Sequence, residues 1–413
     1  MKIRKKYLFY VLSLTSAILA AIVVGIDTTI RVKFIQNPYA FGIACFLVGI
    51  FITFLITIFL SIPIRGKSIG GTIIDPSFNK IRLIKSEEIK YHIIAGFGNS
   101  LLTIGYFLLL TILTDPSVVL PFSQIVIIYL LFVESVTEKN FPTLIEIQSS
   151  VIVTCGAILG SISLGGSISI EAFLIVFLFY IPAWTIFSIY QRKLKLLKIN
   201  NRPNDSINIR FWNIVFACIF SLIMISIFDL ITNSNNILAG INASFDHFWW
   251  VSLTMGVTFF TYVLYIRALG IGKASITQAV RSSIVIFIIP VTILLASLGI
   301  IPLFSTDPVW LIIKIIGIIL VILGIVSFAL TLVKAYIFIK MKPGYSIEET
   351  MQKFWDIHGV NRVTAVAGEY DFIIKIRTRT LVKGYERILR KIESIDGIKE
   401  YKWQSVLKDW EKI

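Results

Sequence analysis

Apolar residues over the first 333 positions come in long runs separated by short polar segments. A helix rises about 1.5 Å per residue, so a hydrocarbon core roughly 30 Å thick needs about 20 apolar residues to cross it. Ten runs reach that length, at roughly 7–33, 39–62, 91–113, 117–135, 143–163, 170–190, 209–232, 247–270, 274–297 and 309–333. Helices are required, because lipid leaves backbone groups no other hydrogen-bond partner. The pattern predicts an all-α, ten-helix membrane domain over 1–334.

From Ala335 the period changes to two. "AYIFIKMK" alternates as a strand, "PG" turns the chain, and "SIEETMQKFWDIHG" reads as a helix with a capping box between Ser346 and Glu349. "VNRVTAVAG" and "EYDFIIKIRTR" follow as strands around Gly368, "LVKGYERILRKIESIDG" as an amphipathic helix, and "IKEYKWQSVLK" as a last strand. The order β-α-β-β-α-β over 335–413 predicts an α+β, ferredoxin-like layer of one sheet and two helices.

Composition agrees with this division. The chain is 56% hydrophobic and only 15% charged, where an ordinary soluble domain has about 25%. The net charge of +15 is explained by orientation, because cytoplasmic loops of membrane proteins retain Lys and Arg; no nucleic-acid partner is expected. With a cytoplasmic N-terminus the inner segments collect nineteen Lys/Arg, "QRKLKLLKINNRPNDSINIR" with Arg210 included, and the outer ones two, Arg31 and Lys33. An even number of spans then places both termini in the cytoplasm of a cell-membrane, multi-pass protein. The first apolar stretch is too long for a cleaved signal core and is expected to remain as a span. Cys45, Cys155 and Cys218 lie in apolar runs without metal-ligand spacing and read as small hydrophobes.

Sliding the third to fifth runs over the eighth to tenth gives a weak self-match. At an offset of 158, Gly98 falls on Gly256, Thr103 on Thr261 and Ser117 on Ser275, and after a short gap "AILGSIS" falls on "VILGIVS". Five intervening spans make the copies, about 7–163 and 170–333, opposite in topology, as in secondary transporters that bind substrate near the midplane. Together with "AAIVVGIDTTIRVKF" in the first span and "FYIPAWTIFSIYQRK" in the sixth, this five-plus-five pattern resembles the drug/metabolite transporter superfamily of EamA-like type. The resemblance implies small-molecule transport, often export of amino acids or related metabolites, through a cavity lined by both halves. The family commonly has Trp-Gly near the end of its first span, where this chain has "VGIDT".

Polar residues inside the runs are the candidates for chemistry, because an intramembrane charge costs about 3 kcal/mol or more and usually faces a cavity or a partner. Gln278, Arg281 and Ser282 are spaced i, i+3, i+4 and share a face of the ninth span. The offset maps Ser123 onto Arg281 and Gln124 onto Ser282, so both copies are polar at the same two places. These five residues, with Trp184 beside Pro182, form the expected substrate site; the bland alternative for Arg281 is a structural guanidinium bonded to carbonyls or a buried acid. Asp27 and Arg31 are expected to pair at the outer interface, Lys314 to snorkel outward, Glu134 and Glu146 to be solvated, and Pro121 and Pro290 to bend an outer gate. "GAILG" at 156–160 predicts close helix packing.

In the tail, Pro-Gly after the first strand, "GEYD" at the central turn and "IESIDGI" before the last strand resemble the RAM domain, the effector-binding half of Lrp/AsnC regulators. The resemblance implies pairing through sheets, hence a homodimer, and an amino-acid-like effector near the turn. Gly368, Tyr370 and Asp371 carry over by motif; the alternative is a dimerisation module without a ligand, with Asp371 only capping the turn. No cluster of nucleophile, base or metal ligands appears, nor a phosphate-binding loop, so no enzyme activity and no cofactor is expected. The expectation is a secondary transporter of amino acids or related small metabolites with a cytoplasmic sensing domain, against the alternative of a membrane sensor that does not transport.

Overall fold

The computed structural model describes residues 5–64, 66–113, 123–137, 144–160, 170–199, 202–301, 307–330, 332–357, 360–379 and 384–405. Helices in chain order are α1 (Lys5–Lys33), α2 (Pro38–Ser61), α3 (Ile69–Ile73), α4 (Ser86–Ile112), α5 (Val126–Thr137) and α6 (Leu144–Gly160). They continue as α7 (Ile170–Leu196), α8 (Ser206–Thr232), α9 (Asn236–Asp246), α10 (Phe248–Leu269), α11 (Ala274–Arg281), α12 (Ile284–Ser297) and α13 (Pro308–Leu330). Two short ladders, β1 (Pro63–Ile64) with β2 (Lys67–Ser68) and β3 (Lys198–Ile199) with β4 (Arg202–Pro203), interrupt the helices. The chain divides into two compact units, residues 1–140 with 150–323, and residues 141–149 with 324–413.

Among the described residues eight helical stretches are long and apolar enough to cross a membrane. The expected fourth and fifth spans correspond to α5 and α6, and 114–122, 138–143 and 161–169 beside them lie outside the described residues, as do Ser117, Pro121 and His358. The first unit is apolar on the outside and sets polar side chains within an otherwise apolar core: Leu230 and Trp249 are 80% and 82% exposed, whereas Asn99, Ser100, Asn213 and Ser221 are buried. The buried pairs satisfy each other, Asn99 Nδ2 donating to Asn213 Oδ1 at 3.0 Å and the Ser100 and Ser221 hydroxyls meeting at 2.5 Å. An apolar exterior with its buried polar groups satisfied is what a lipid-facing bundle requires.

Small residues set the helix spacing. A Cβ on Gly98 would lie 3.0 Å from the Phe187 nitrogen of α7, and one on Gly96 would lie 2.5 Å from Phe216 Cβ of α8, so α4 is wedged closely between them. Gly256, the offset partner of Gly98, has nothing within 4 Å of such a Cβ, so the two glycines differ in role. Gly156 of the "GAILG" stretch packs on the α13 backbone, where a Cβ would meet the Gly317 oxygen at 2.6 Å. Asn37 caps α2 ahead of Pro38, accepting from the Tyr39 and Ala40 N–H groups. The expected loop at 233–246 instead holds α9, which lies on α2 with Gly240 against Ile43.

In the second unit β5 (Leu332–Met341), α14 (Ile347–Trp355), β6 (Val360–Ala365), β7 (Phe372–Arg379), α15 (Gly384–Glu393) and β8 (Ile398–Ser405) follow in the expected order. The four strands pair antiparallel in the order β6-β7-β5-β8, consistent with a ferredoxin-like domain. Ile337 pairs with Ile374 on one side and Trp403 on the other, and Ala335, Ile337, Ile339, Ile374 and Ile376 bury one face together with Phe354 and Ile388. β5 begins three residues before the expected Ala335. Only half the capping box forms: Glu349 N–H donates to Ser346 Oγ at 3.5 Å, while the Glu349 carboxylate pairs with Lys353 at 2.8 Å.

Candidate functional site

A cavity of about 100 Å³ lies inside the first unit, with room for one small metabolite. Four of the six expected residues line it: Gln124, Trp184, Gln278 and Arg281. Two of the expected amides meet directly, Gln278 Nε2 donating to Gln124 Oε1 at 2.9 Å, although the offset pairs Gln124 with Ser282. Ser123 accepts from Gln124 at 3.1 Å and the Ser282 hydroxyl donates to the Ala279 carbonyl at 2.5 Å, so neither serine is in the lining.

Local backbone explains the placement. α11 stops at Arg281, and the chain passes Ser282 and Ser283 in tight i to i+3 bonds, Val285 N–H to the Ser282 oxygen and Ile286 N–H to the Ser283 oxygen, before α12 begins. The same two bonds recur ahead of α5, Ile127 N–H to the Gln124 oxygen and Ile128 N–H to the Ile125 oxygen. The sixth expected span is also irregular, with a π-helical stretch at Ile175–Tyr180 that ends on a cavity residue, Tyr180, one position before the Ile181 N–H bonds back to the Val176 oxygen. Interrupted helices of this kind turn polar groups toward a buried space.

The charges in the lining are two guanidiniums and one carboxylate. Arg281 lies 4.9 Å from the Tyr265 ring centroid and 5.2 Å from that of Trp184. The Tyr262 ring serves both arginines, with Arg210 at 4.4 Å and Arg281 at 5.8 Å. The Nε of each is buried without a hydrogen-bond partner among the described residues. Asp27 accepts from the Thr254 hydroxyl at 2.6 Å and the Tyr106 hydroxyl at 3.1 Å. The expected Asp27–Arg31 interfacial pair does not form, because these two hydroxyls draw Asp27 into the cavity. Arg210, counted from sequence with the inner loop, lies inside α8, which begins at Ser206. The signal that would have found it is its i, i+3 relation to Asn213, another buried polar residue on the same face.

Two ionic clusters lie outside the cavity, and the first contains Glu134, a charge expected to be solvated. Glu134 is buried, pairs with Arg192 at 3.1 Å, and accepts from the N–H groups of Ala274 (2.6 Å) and Ser275 (2.9 Å), so it caps α11 from another helix. Glu146 and Lys314 are also buried, the latter at 6% exposure, and not solvated or snorkelling. Asp75, in the segment after α3, binds Lys195 Nζ at 2.5 Å and the Ser206 N–H at 2.9 Å, with the Ser206 hydroxyl closer still. Burial alone would raise the Asp75 carboxyl, but the Lys195 ammonium and the Ser206 donors outweigh it and bring it down to about 2. Arg82 holds Glu88 through both nitrogens at 2.6 and 2.8 Å, and Asn204 bridges the two. Among the described residues no group of three His, Cys, Asp or Glu side chains is placed to hold a metal ion.

At the tail turn, Asp371 Oδ2 accepts the Met341 N–H at 2.6 Å and Asp371 N–H donates to the Ile339 oxygen at 2.9 Å, next to a register shift in β5. The Tyr370 ring lies 5.5 Å from that of Phe338. Gly368 does not adopt a positive φ, and a Cβ there would meet open space. Among the described residues of the tail the positive-φ glycines are Gly344 and Gly397, which close the turns after β5 and before β8.

Residues 334–412 match the family described as the Lrp/AsnC ligand binding domain. No curated protein matches the chain. One solved structure, described only as the crystal structure of a protein, is similar over 79% of this chain and 98% of its own at 12% identity, with a TM-score of 0.46. The chain therefore joins a multi-helical region compatible with a multi-pass membrane protein to a C-terminal Lrp/AsnC ligand-binding domain.

Proposed function

We propose that this protein is a secondary transporter, in the export direction, for amino acids or related small metabolites. Its membrane region is then a ten-span, EamA-like domain of two inverted halves in the cell membrane, with both termini cytoplasmic. The tail acts as an amino-acid sensor and homodimerises. The observation that carries this reading is the cavity: a largely apolar space into which three charged and several polar side chains project, lined by helices of both proposed halves, inside a bundle whose outer surface is apolar. The paired i to i+3 interruptions at Gln124–Ile125 and Ser282–Ser283, 158 residues apart like the self-match, support two related halves.

The test is flux of labelled amino acids in proteoliposomes. Saturable uptake or efflux that Arg281→Ala removes supports transport. Binding without flux for every solute tried favours the rival reading of a membrane sensor, which draws its support from the ligand-binding tail. Cysteines introduced at 63–85 should be labelled only from the cytoplasmic side; labelling from outside overturns the orientation.

A further inference from the structure

We propose that the cavity is selective for an acidic amino acid, a solute with two carboxylates, one ammonium and a net charge of minus one. This deepens the transport reading and rests on it. Asp27, Arg210 and Arg281 are the charged side chains of the lining, and none of them is in an ion pair among the described residues. Elsewhere among the described residues of the first unit buried carboxylates are paired, Glu134 with Arg192, Asp75 with Lys195 and Glu88 with Arg82, in contrast to Asp27 and the two cavity guanidiniums.

A guanidinium is charged at every accessible pH and its bidentate fork matches a carboxylate. Buried charge without a partner is costly, and it persists where a ligand supplies the partner. Aromatic faces offset part of that cost for Arg210 and Arg281, yet the Nε of each remains unbonded among the described residues. Two guanidiniums call for two carboxylates. Asp27 is held as an acceptor by the hydroxyls of Thr254 and Tyr106, which orients it for an ammonium. With Asp27 ionised the trio sums to plus one, so a neutral amino acid would leave one guanidinium uncompensated, and a plain dicarboxylate would leave Asp27 without its cation. An acidic amino acid neutralises all three. The small volume excludes much larger anions.

The experiment uses the full chain in detergent and measures binding of glutamate, glutamine, leucine and succinate, with thermal unfolding of each ligand-free variant as the folding control. Glutamate is expected to bind roughly tenfold or more tightly than glutamine, which differs by one charge. Arg210→Gln and Arg281→Gln should each weaken glutamate by a similar factor. Asp27→Asn should shift the preference from glutamate toward succinate, a gain that misfolding cannot produce. Glutamine or leucine binding as tightly as glutamate, or glutamate binding that survives both arginine substitutions and so resides outside the cavity, overturns the proposal. Flux separates the two readings: charge-selective binding without glutamate flux sinks transport and leaves the selectivity standing, whereas flux of neutral amino acids without glutamate does the reverse.

Discussion

Asp371 and Arg281 have opposite relations to their surroundings. The Asp371 carboxylate is engaged by the Met341 N–H, so Asp371→Ala should lower the stability of segment 332–413 by about 1 kcal/mol, with Asp371→Asn closer to wild type, as read by denaturant unfolding. An unchanged midpoint would return Asp371 to the ligand-binding candidates. Arg281 has no acidic partner to orphan among the described residues, so Arg281→Ala should leave the protein folded in the membrane and abolish flux; wild-type flux would move the site elsewhere. Glu134→Ala, by contrast, strands Arg192 and two α11 N–H groups, and the loss should be of folded protein, at about 3 kcal/mol or more. Arg281, Gln278 and Gln124 were legible in the sequence because a charge or amide deep in an apolar run has few bland explanations. Asp27 and Arg210 were not, because both lie near the ends of runs, where a charge is ordinary, and only the partners from distant helices reveal which way they face.

At the level of elements, close backbone approach was legible and helix irregularity was not. "GAILG" announced tight packing by its small residues, and a valine at Gly156 would drive its Cβ to 2.6 Å from the Gly317 oxygen and 2.7 Å from the Val321 nitrogen. These are backbone atoms that cannot rotate away, so Gly156→Val should separate α6 from α13 and lower the detergent melting temperature, whereas Gly256→Ala, in open space, should not; equal melting temperatures for the two would contradict the packing. The interruptions at Gln124–Ile125 and Ser282–Ser283 carry neither Gly nor Pro, so the local sequence gave no breaker to read. The segment after α3 is fastened to the end of α7 and the start of α8 through Asp75, Lys195 and Ser206. Because the Asp75 carboxyl is held at about 2, below its usual 3.8, its contribution is complete above about pH 4 and is lost as the pH falls through about 2. Asp75→Asn should remove about 2 kcal/mol at neutral pH and flatten the acid limb of the stability profile over that window; an unaltered limb would assign acid unfolding to other groups.

At the scale of the whole chain, the division into an apolar helical region and an alternating tail was plain from the change of period near Ala335, and the tail match to the Lrp/AsnC ligand binding domain falls on the same stretch. The same change of period left almost no linker between the last apolar run and the first strand, and the structure agrees: α13 ends at Leu330 and β5 begins at Leu332, leaving one residue between them. On the proposed function, an effector held by the tail changes transport only by favouring one conformation of the membrane region, and linkage makes that preference reciprocal. If a tail effector alters the affinity for the cavity solute by some factor, saturating the cavity must alter the effector's affinity by the same factor. The measurement is a pair of ratios on the full chain: solute dissociation constants with and without effector, and effector dissociation constants with and without solute. Arg281→Gln, which weakens the solute site, should leave the effector's affinity intact but abolish its response to added solute. Equal ratios different from one establish that the tail regulates the cavity. Ratios of one in both directions, with the tail still self-associating, would reduce the Lrp/AsnC domain to an assembly device, because a ligand with equal affinity for two conformations shifts neither, however tightly it binds.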